Sequence, residues 1–350
     1  MAFISFYRFV LLDVAYSDRA GQKFWETKHL EITNKDLLFE EWRTMQVDIQ
    51  QKPKTYIVIN PVAGLSELVT VREKIEIAFQ SRDIPFEIYE TTGNENLRQK
   101  VRNAVKKGFQ LFVSAGGDGT LSGVIDGLVD TQIPLVILPT GTWNTVAQIM
   151  NIPLQIDPAL ELVFQEHTIR TIDALQVDQS FFILSVSAGV GSRTMEDVNR
   201  QEKRRFGKFV DLWKGLSQLL EFRSYLFDVK IDGKPSRFRA SELMVANSGS
   251  LGLKALQLDP GIRMDDGKLN VCRIYANTLG EYLSLAISML RGDQKYNWNV
   301  LCMEATKEVE IRCREKLPVQ GDGDIIGRLP VTVKIYPKAI QIVAPINSET

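Results

Sequence analysis

Cysteine is scarce in this chain. Cys272, Cys302 and Cys313 are its three copies, with no CxxC pair and no even set. That argues against a disulfide scaffold or a structural zinc site, and makes a reducing cytosol the expected setting. Histidine is scarcer still: His29 and His167 leave little room for a multi-histidine metal centre or histidine-based catalysis. No apolar run approaches the roughly 20 residues that cross a bilayer as a helix. Neither sign of charge dominates, with 42 Lys and Arg against 43 Asp and Glu, so the global positive field that serves a nucleic-acid binder is missing. The chain also lacks the G-x-x-x-x-G-K-[ST] loop and the HRD and DFG sets, which excludes P-loop nucleotide hydrolases and protein kinases.

What remains is 350 residues of ordinary globular composition, 44% hydrophobic and 24% charged, enough for two domains at roughly 150 residues each. Residues 1–50 read as an extension. Met1–Tyr16 is apolar and aromatic, broken by Arg8 and Asp13. It is too short to span a membrane and is followed by no cleavage signal. An accessory strand or helix, a tail or an early start codon are the plain readings, and a membrane-surface anchor is the alternative. Asp36–Ile49 has helical composition.

From Pro53 the pattern alternates. Thr55–Asn60 is a buried-type strand, and Leu68, Val71, Ile75 and Phe79 recur at helical spacing. Phe86–Glu90 is a second strand. Asn94 is a candidate N-cap for a helix carrying Leu97, Val101 and Val105 and ending at Gly108. Phe109–Ser114 and Pro134–Leu138 are further strands. This order implies parallel pairing and a three-layer α/β domain over residues 51–152, with ligands at the loops that follow the strands. Beyond Pro153, Thr168–Asp178, Ser180–Ser187, Tyr225–Ile231, Arg237–Asn247 and Lys268–Ala276 are rich in β-branched and aromatic residues. Helices are expected near Lys208–Leu220 and Gly280–Leu290. Residues 153–324 therefore read as a mostly antiparallel β domain, and 325–350 as a segment returning to the first domain.

Three loops follow successive strands: Asn60-Pro61-Val62-Ala63-Gly64, Gly116-Gly117-Asp118-Gly119-Thr120, and Pro139-Thr140-Gly141-Thr142-Trp143-Asn144. Glycine at strand ends lets backbone N–H groups approach phosphate oxygens, Thr120 and Thr142 add hydroxyls, and a helix starting near Leu121 aims its positive end at the same point. Each loop alone is a common packing device; three together point to a phosphate site. A carboxylate inside such a loop is unfavourable without a role, and Asp118 is suited to holding Mg²⁺ or to taking a proton from an attacking hydroxyl.

NPVAG, SAGGDGTLSGVIDGL and LPTGTWNTVA, in that order, resemble the diacylglycerol kinase catalytic family, which includes bacterial lipid kinases and the sphingosine and ceramide kinases. The GGDG element is also similar to that of NAD kinases and phosphofructokinases. The resemblance runs from about Tyr56 to Pro345. It implies ATP binding by Asn60, Pro61, Gly64, Thr91, Thr92, Gly116, Gly117, Asp118, Gly119, Thr120, Gly141, Thr142 and Asn144. It also implies a structural Mg²⁺ at Asp265-Asp266-Gly267-Lys268, held by the Asp266 carboxylate and the carbonyls of Arg263 and Lys268; by itself that stretch reads as a turn. The family's Asp-Gly-Glu, whose Glu is its proposed general base, corresponds to Asp322-Gly323-Asp324 here. Asp324 is expected to face Asp118 across an interdomain cleft. Trp143 stands where Gly or Ala is usual, Thr145 where Asp is common, and Ser122-Gly123 where Asn-Glu is common.

The resemblance implies a cytoplasmic, peripherally membrane-associated kinase acting on a lipid, with diacylglycerol the leading acceptor. The alternatives are an NAD or sugar kinase, or a silent nucleotide- or lipid-binding homologue. The run Arg200–Lys208, with Lys203, Arg204 and Arg205, is a solvated face or a dock for anionic lipid. No nucleic-acid partner is expected, and a homodimer is left open.

Overall fold

A computed structural model describes residues 10–17, 23–30, 49–61, 68–93, 95–193, 223–250, 258–259, 261–278, 280–281, 284–285, 287–288 and 299–346. The chain divides into two compact units, residues 1–46 and 47–350. In the first, β1 (Val10–Ser17) and β2 (Lys23–Leu30) pair antiparallel, with Val10 opposite Leu30 and Ser17 opposite Lys23. Asp36 to Asp48, which carries the expected helical stretch, and the expected helix at 208–220 lie outside the described residues.

The second unit opens with α/β alternation. β3 (Thr55–Ile59) pairs parallel with β4 (Phe86–Glu90) and β5 (Leu111–Gly116), and β5 pairs parallel with β6 (Pro134–Pro139). Every residue of β3 and β5 is buried, as expected for parallel strands covered on both faces. The covering helices are α1 (Leu68–Gln80), α2 (Leu97–Lys106), α3 (Asp118–Leu128), α4 (Thr145–Ile149) and α5 (Ile156–Glu161). Asn96 caps α2, its Oδ1 accepting from Gln99 N at 3.0 Å. The expected cap, Asn94, lies two residues earlier, outside the described residues. Close packing of α3 on α2 explains glycine in the last turn of α3: a Cβ on Gly127 would sit 2.5 Å from Val101 Cβ. Ile57, Ile75, Phe79, Phe112, Val124 and Leu138 are central members of the resulting core.

The chain then turns antiparallel. β7 (Thr168–Val177), β8 (Ser180–Phe182), β10 (Tyr225–Ile231), β11 (Lys234–Ala240), β15 (Glu308–Cys313) and β18 (Val331–Ala344) extend the first sheet to ten strands, in the order β11-β10-β15-β18-β6-β5-β3-β4, with β7 paired to β18 and β8 to β7. β18 makes the sheet continuous. Its first half pairs antiparallel with β15, its second half pairs parallel with β6, and β7 runs antiparallel beside it, with an irregularity between Tyr336 and Ile340.

A second, six-stranded sheet has the order β14-β13-β12-β9-β16-β17. It comprises β9 (Ser185–Gly189), β12 (Glu242–Ala246), β13 (Leu269–Ile274), β14 (Val300–Ala305), β16 (Pro318–Gly321) and β17 (Asp324–Arg328). Val186, Ala188, Leu243, Val245, Val271 and Val319 pack from this sheet against Phe227, Val229, Val309, Ile311 and Val333 of the first. The fold is thus an α/β nucleotide-binding type of lobe joined to a mostly antiparallel β lobe.

One expectation fails. Cys272 and Cys302 stand opposite each other on β13 and β14 and form a disulfide, leaving Cys313 free. Strand register, which cysteine spacing does not reveal, brings them together.

Candidate functional site

β3, β5 and β6 end side by side, so their following loops share one edge of the sheet. Asn60 N donates to Ala115 O at 2.9 Å, and Thr140 N to Gly116 O at 3.1 Å. Asn60 Nδ2 donates to Thr120 Oγ1 at 3.0 Å, tying the first loop to the second. The second and third loops touch through glycine: a Cβ on Gly141 would lie 2.5 Å from Gly117 Cα, and one on Gly117 would lie 3.3 Å from Gly141 Cα. Gly119 differs. It is exposed in the first turn of α3, and a Cβ built on it meets nothing within 4 Å. The first pair of glycines permits close backbone packing; the third keeps the space above the helix N-terminus open.

Asn144 locks the third loop. Its Oδ1 accepts from Gly141 N at 2.9 Å and its Nδ2 donates to Gly141 O at 2.8 Å, with the backbone in the left-handed region (φ 48°). Asp118 then joins second and third loops: its Oδ1 accepts from Thr145 N at 2.8 Å and its Oδ2 from Thr145 Oγ1 at 3.4 Å. Burial pushes the Asp118 carboxyl up, and these donors only partly offset it. Thr140 Oγ1 is buried without a hydrogen-bond partner, a hydroxyl left over at the same edge. Open space above Gly119, the spare hydroxyl and the N-terminus of the 11-residue α3 fit a phosphate-bearing ligand. Thr91, at the end of β4, is buried and its N donates to Ile59 O at 2.8 Å. Thr92 is exposed, with its N donating to the Glu95 carboxylate at 3.0 Å. Thr142 is exposed, and Gly64 lies outside the described residues.

The β16–β17 turn brings in the acidic segment from the other lobe. Asp322 and Gly323 form the turn with positive φ (46° and 100°). The half-buried Asp322 carboxylate accepts from Ile183 N, Leu184 N and Ser185 N at 2.7, 2.8 and 3.0 Å. Those residues carry the chain from β8 into β9, out of the large sheet and into the smaller one. Burial pushes the Asp322 carboxyl up to about 6 against its three amide donors, and the charge of Asp118 adds to the rise. The charge of Asp118 thus reaches the acidic turn at Asp322 as a minor contribution beside burial. Asp324, two residues on, opens β17 with its side chain exposed.

The Asp265–Lys268 loop is organised by a residue that sequence reasoning missed. Asp173 on β7 is buried; its Oδ2 accepts from Gly267 N at 2.7 Å and its Oδ1 from Lys338 N at 2.8 Å, and its own N donates to Met264 O at 2.6 Å. Asp173 thus pins this loop to the irregular stretch of β18. Asp266 is exposed, and its Oδ1 accepts from Lys268 N at 3.0 Å. Asp265 pairs with Arg263 at 3.0 Å, and Lys268 with Glu304 at 2.7 Å. Among the described residues no three His, Cys, Asp or Glu side chains converge as a metal site. A cation here would rest on one carboxylate and main-chain carbonyls, a donor set suited to a hard ion that keeps most of its waters.

Fold and site together describe a two-lobed protein, with three glycine-bearing loops at one edge of the α/β lobe and an acidic turn on the β-sandwich lobe whose Asp322 feels the charge of Asp118. The model of the diacylglycerol kinase catalytic domain matches residues 54–177, and that of the YegS C-terminal NAD kinase beta sandwich-like domain matches 184–344. Residues 54–177 thus match a diacylglycerol kinase catalytic domain, and the two matches one after the other span most of the chain. It is 26% identical over 293 residues to a diacylglycerol kinase of Bacillus subtilis, covering 83% of this chain and 95% of that one. It is 28% identical over 313 residues to the uncharacterized protein sll0036 of Synechocystis, covering 85% and 72%. The crystal structure of a diacylglycerol kinase from Bacillus anthracis superposes with a TM-score of 0.68 at 21% identity, covering 84% of this chain and 98% of that one; that likeness concerns the fold.

Proposed function

We propose that the protein is an ATP-dependent lipid kinase that phosphorylates a lipid hydroxyl, with diacylglycerol as acceptor and phosphatidic acid as product. The observation that supports this reading is the exposed glycine of the Gly117–Thr120 loop together with the electrostatic influence of Asp118 on Asp322, in the acidic turn of the other lobe. The match to the diacylglycerol kinase catalytic domain and relatives bearing that name supply the acceptor class.

Backbone N–H groups of Gly117 and Gly119 and the hydroxyls of Thr120, Thr140 and Thr142 would hold the nucleotide's phosphates, with Asn60 and Thr91 toward its nucleoside end. Mg²⁺ accompanying the nucleotide would neutralise charge on the phosphates. Asp118 is held by the amide and hydroxyl of Thr145, so its work is orientation and electrostatics at the cradle. Asp322 holds the acidic turn in place through three amides of its own. That leaves the exposed Asp324 carboxylate free to take the proton of the acceptor hydroxyl as it attacks the terminal phosphorus. A peripheral membrane location follows from a lipid acceptor; no helix among the described residues is long and apolar enough to cross a membrane. The test is incubation with labelled ATP and a lipid panel, followed by chromatography. A labelled lipid that disappears in the Asp324→Asn protein supports the reading. Label appearing only on NAD or a sugar refutes it.

A further inference from the structure

Trp143 combines an exposed side chain with a heavily constrained backbone. Its indole is 56% exposed. Its carbonyl accepts from Gln148 Nε2 at 2.5 Å, the next residue clamps Gly141 through two hydrogen bonds, and the one after is tied to Asp118. A large apolar ring is thus exposed to solvent on a tightly hydrogen-bonded loop next to the Gly117–Thr120 loop. An aromatic carried on such a loop loses little freedom when an apolar ligand covers it.

Strand order indicates which ligand that is. β6, which carries the loop, lies between β5 and β18, while β3 and β4 lie beyond β5. Asn60 and Thr91, at the ends of β3 and β4, are therefore on the far side of the glycine loop. At about 4.8 Å per strand, β4 is about 14 Å from β6. A nucleotide extending toward Asn60 and Thr91 runs away from Trp143. On the Trp143 side lie β18 and the sandwich lobe, from which the acidic turn comes. An apolar ring with one polar N–H suits the acyl–glycerol zone of a bilayer, where indoles concentrate.

We infer that Trp143 is the acceptor-side contact of the transfer site, an exposed indole on a fixed loop that enters the acyl–glycerol region of a bilayer and seats the lipid hydroxyl beside the Asp118 loop. The inference rests on the lipid-kinase reading above and adds a residue that the general pattern of the loop does not supply.

The experiment uses the full chain and its Trp143→Phe and Trp143→Ala variants with phosphatidylcholine vesicles containing a minor fraction of diacylglycerol. The emission difference between wild type and Trp143→Phe isolates this indole among the five tryptophans. Vesicles are expected to shift that difference emission to the blue and MgATP alone to leave it unchanged. Trp143→Ala is expected to bind vesicles about tenfold more weakly, with Phe intermediate, while nucleotide affinity stays as in the wild type. An indole insensitive to vesicles overturns the inference. So does an indole quenched by MgATP alone in a protein whose Ala variant loses nucleotide affinity, which would make it a nucleobase platform. Neither readout needs turnover. Vesicle binding through Trp143 without any phosphorylated lipid would defeat the proposed function and leave this inference standing; lipid phosphorylation with vesicle binding indifferent to Trp143 would do the reverse.

Discussion

Glu242 offers a quantitative test of the electrostatics of the sandwich lobe. It opens β12, where its Oε2 accepts from Gly191 N at 2.9 Å and its carboxylate also bonds the Ser187 side chain. No basic side chain is paired with it among the described ion pairs. Burial pushes its carboxyl from 4.5 up to about 7, and the two hydrogen bonds offset little of that. The folded state therefore holds a proton that the unfolded state has released between pH 4.5 and about 7. Stability present below the lower value is lost as pH rises through the upper one. At 1.36 kcal/mol per unit, a rise of this size corresponds to about 3 kcal/mol lost by pH 8. Glu242→Gln keeps an acceptor for Gly191 N, lets the Ser187 hydroxyl reverse its role, and carries no charge. Chemical-denaturant unfolding of both proteins from pH 5 to pH 8 should show the variant gaining on the wild type by up to about 3 kcal/mol as pH rises. The Asp322 contribution is common to both proteins and cancels in the difference. A stability difference that stays constant across this range would refute the reasoning, because it would mean that Glu242 does not titrate between the two states in this window.

Gly119→Leu places a side chain in open space, so the variant should fold with stability within about 1 kcal/mol of the wild type yet lose at least about tenfold in ATP affinity; calorimetric titration checks this. Asp324→Asn should lower kcat by about 10²–10⁴-fold with the KM for ATP little changed, the usual worth of a general base; steady-state kinetics with a lipid acceptor measure both. Asp266→Ala should lower the melting temperature in Mg²⁺, and a chelator should lower that of the wild type more than that of the variant. Equal chelator shifts in the two proteins would place any stabilising cation elsewhere.

The α/β lobe was legible because β3, β5 and β6 are buried on both faces and read as continuous apolar runs, with glycine in the loops that follow them. Tyr225–Ile231 was equally clear, with a buried residue at every second position. The strands between residues 300 and 328 escaped notice. In Glu308–Cys313 the alternation is present, Val309 and Ile311 buried with Glu310 and Arg312 between them, and a search for period two over that short stretch would have found it. The amide contacts of Asp322 could not be read from sequence, since its partners at Ile183–Ser185 lie more than 130 residues away. The same holds for Asp173, which joins Gly267 to Lys338, and for the tie of Asp118 to Thr145. Spacing shows which residues can carry chemistry; the topology determines which carboxylates are committed to backbone amides and which remain free.

The most direct test of the central claim is transfer of labelled phosphate from ATP to lipid by the purified chain, with diacylglycerol offered beside other lipid hydroxyls, NAD and a sugar. The account expects label in a lipid product that comigrates with phosphatidic acid, present with the wild type and absent with both Gly119→Leu and Asp324→Asn. Label on a water-soluble acceptor in place of lipid, or phosphatidic acid formed undiminished by both variants, would contradict it.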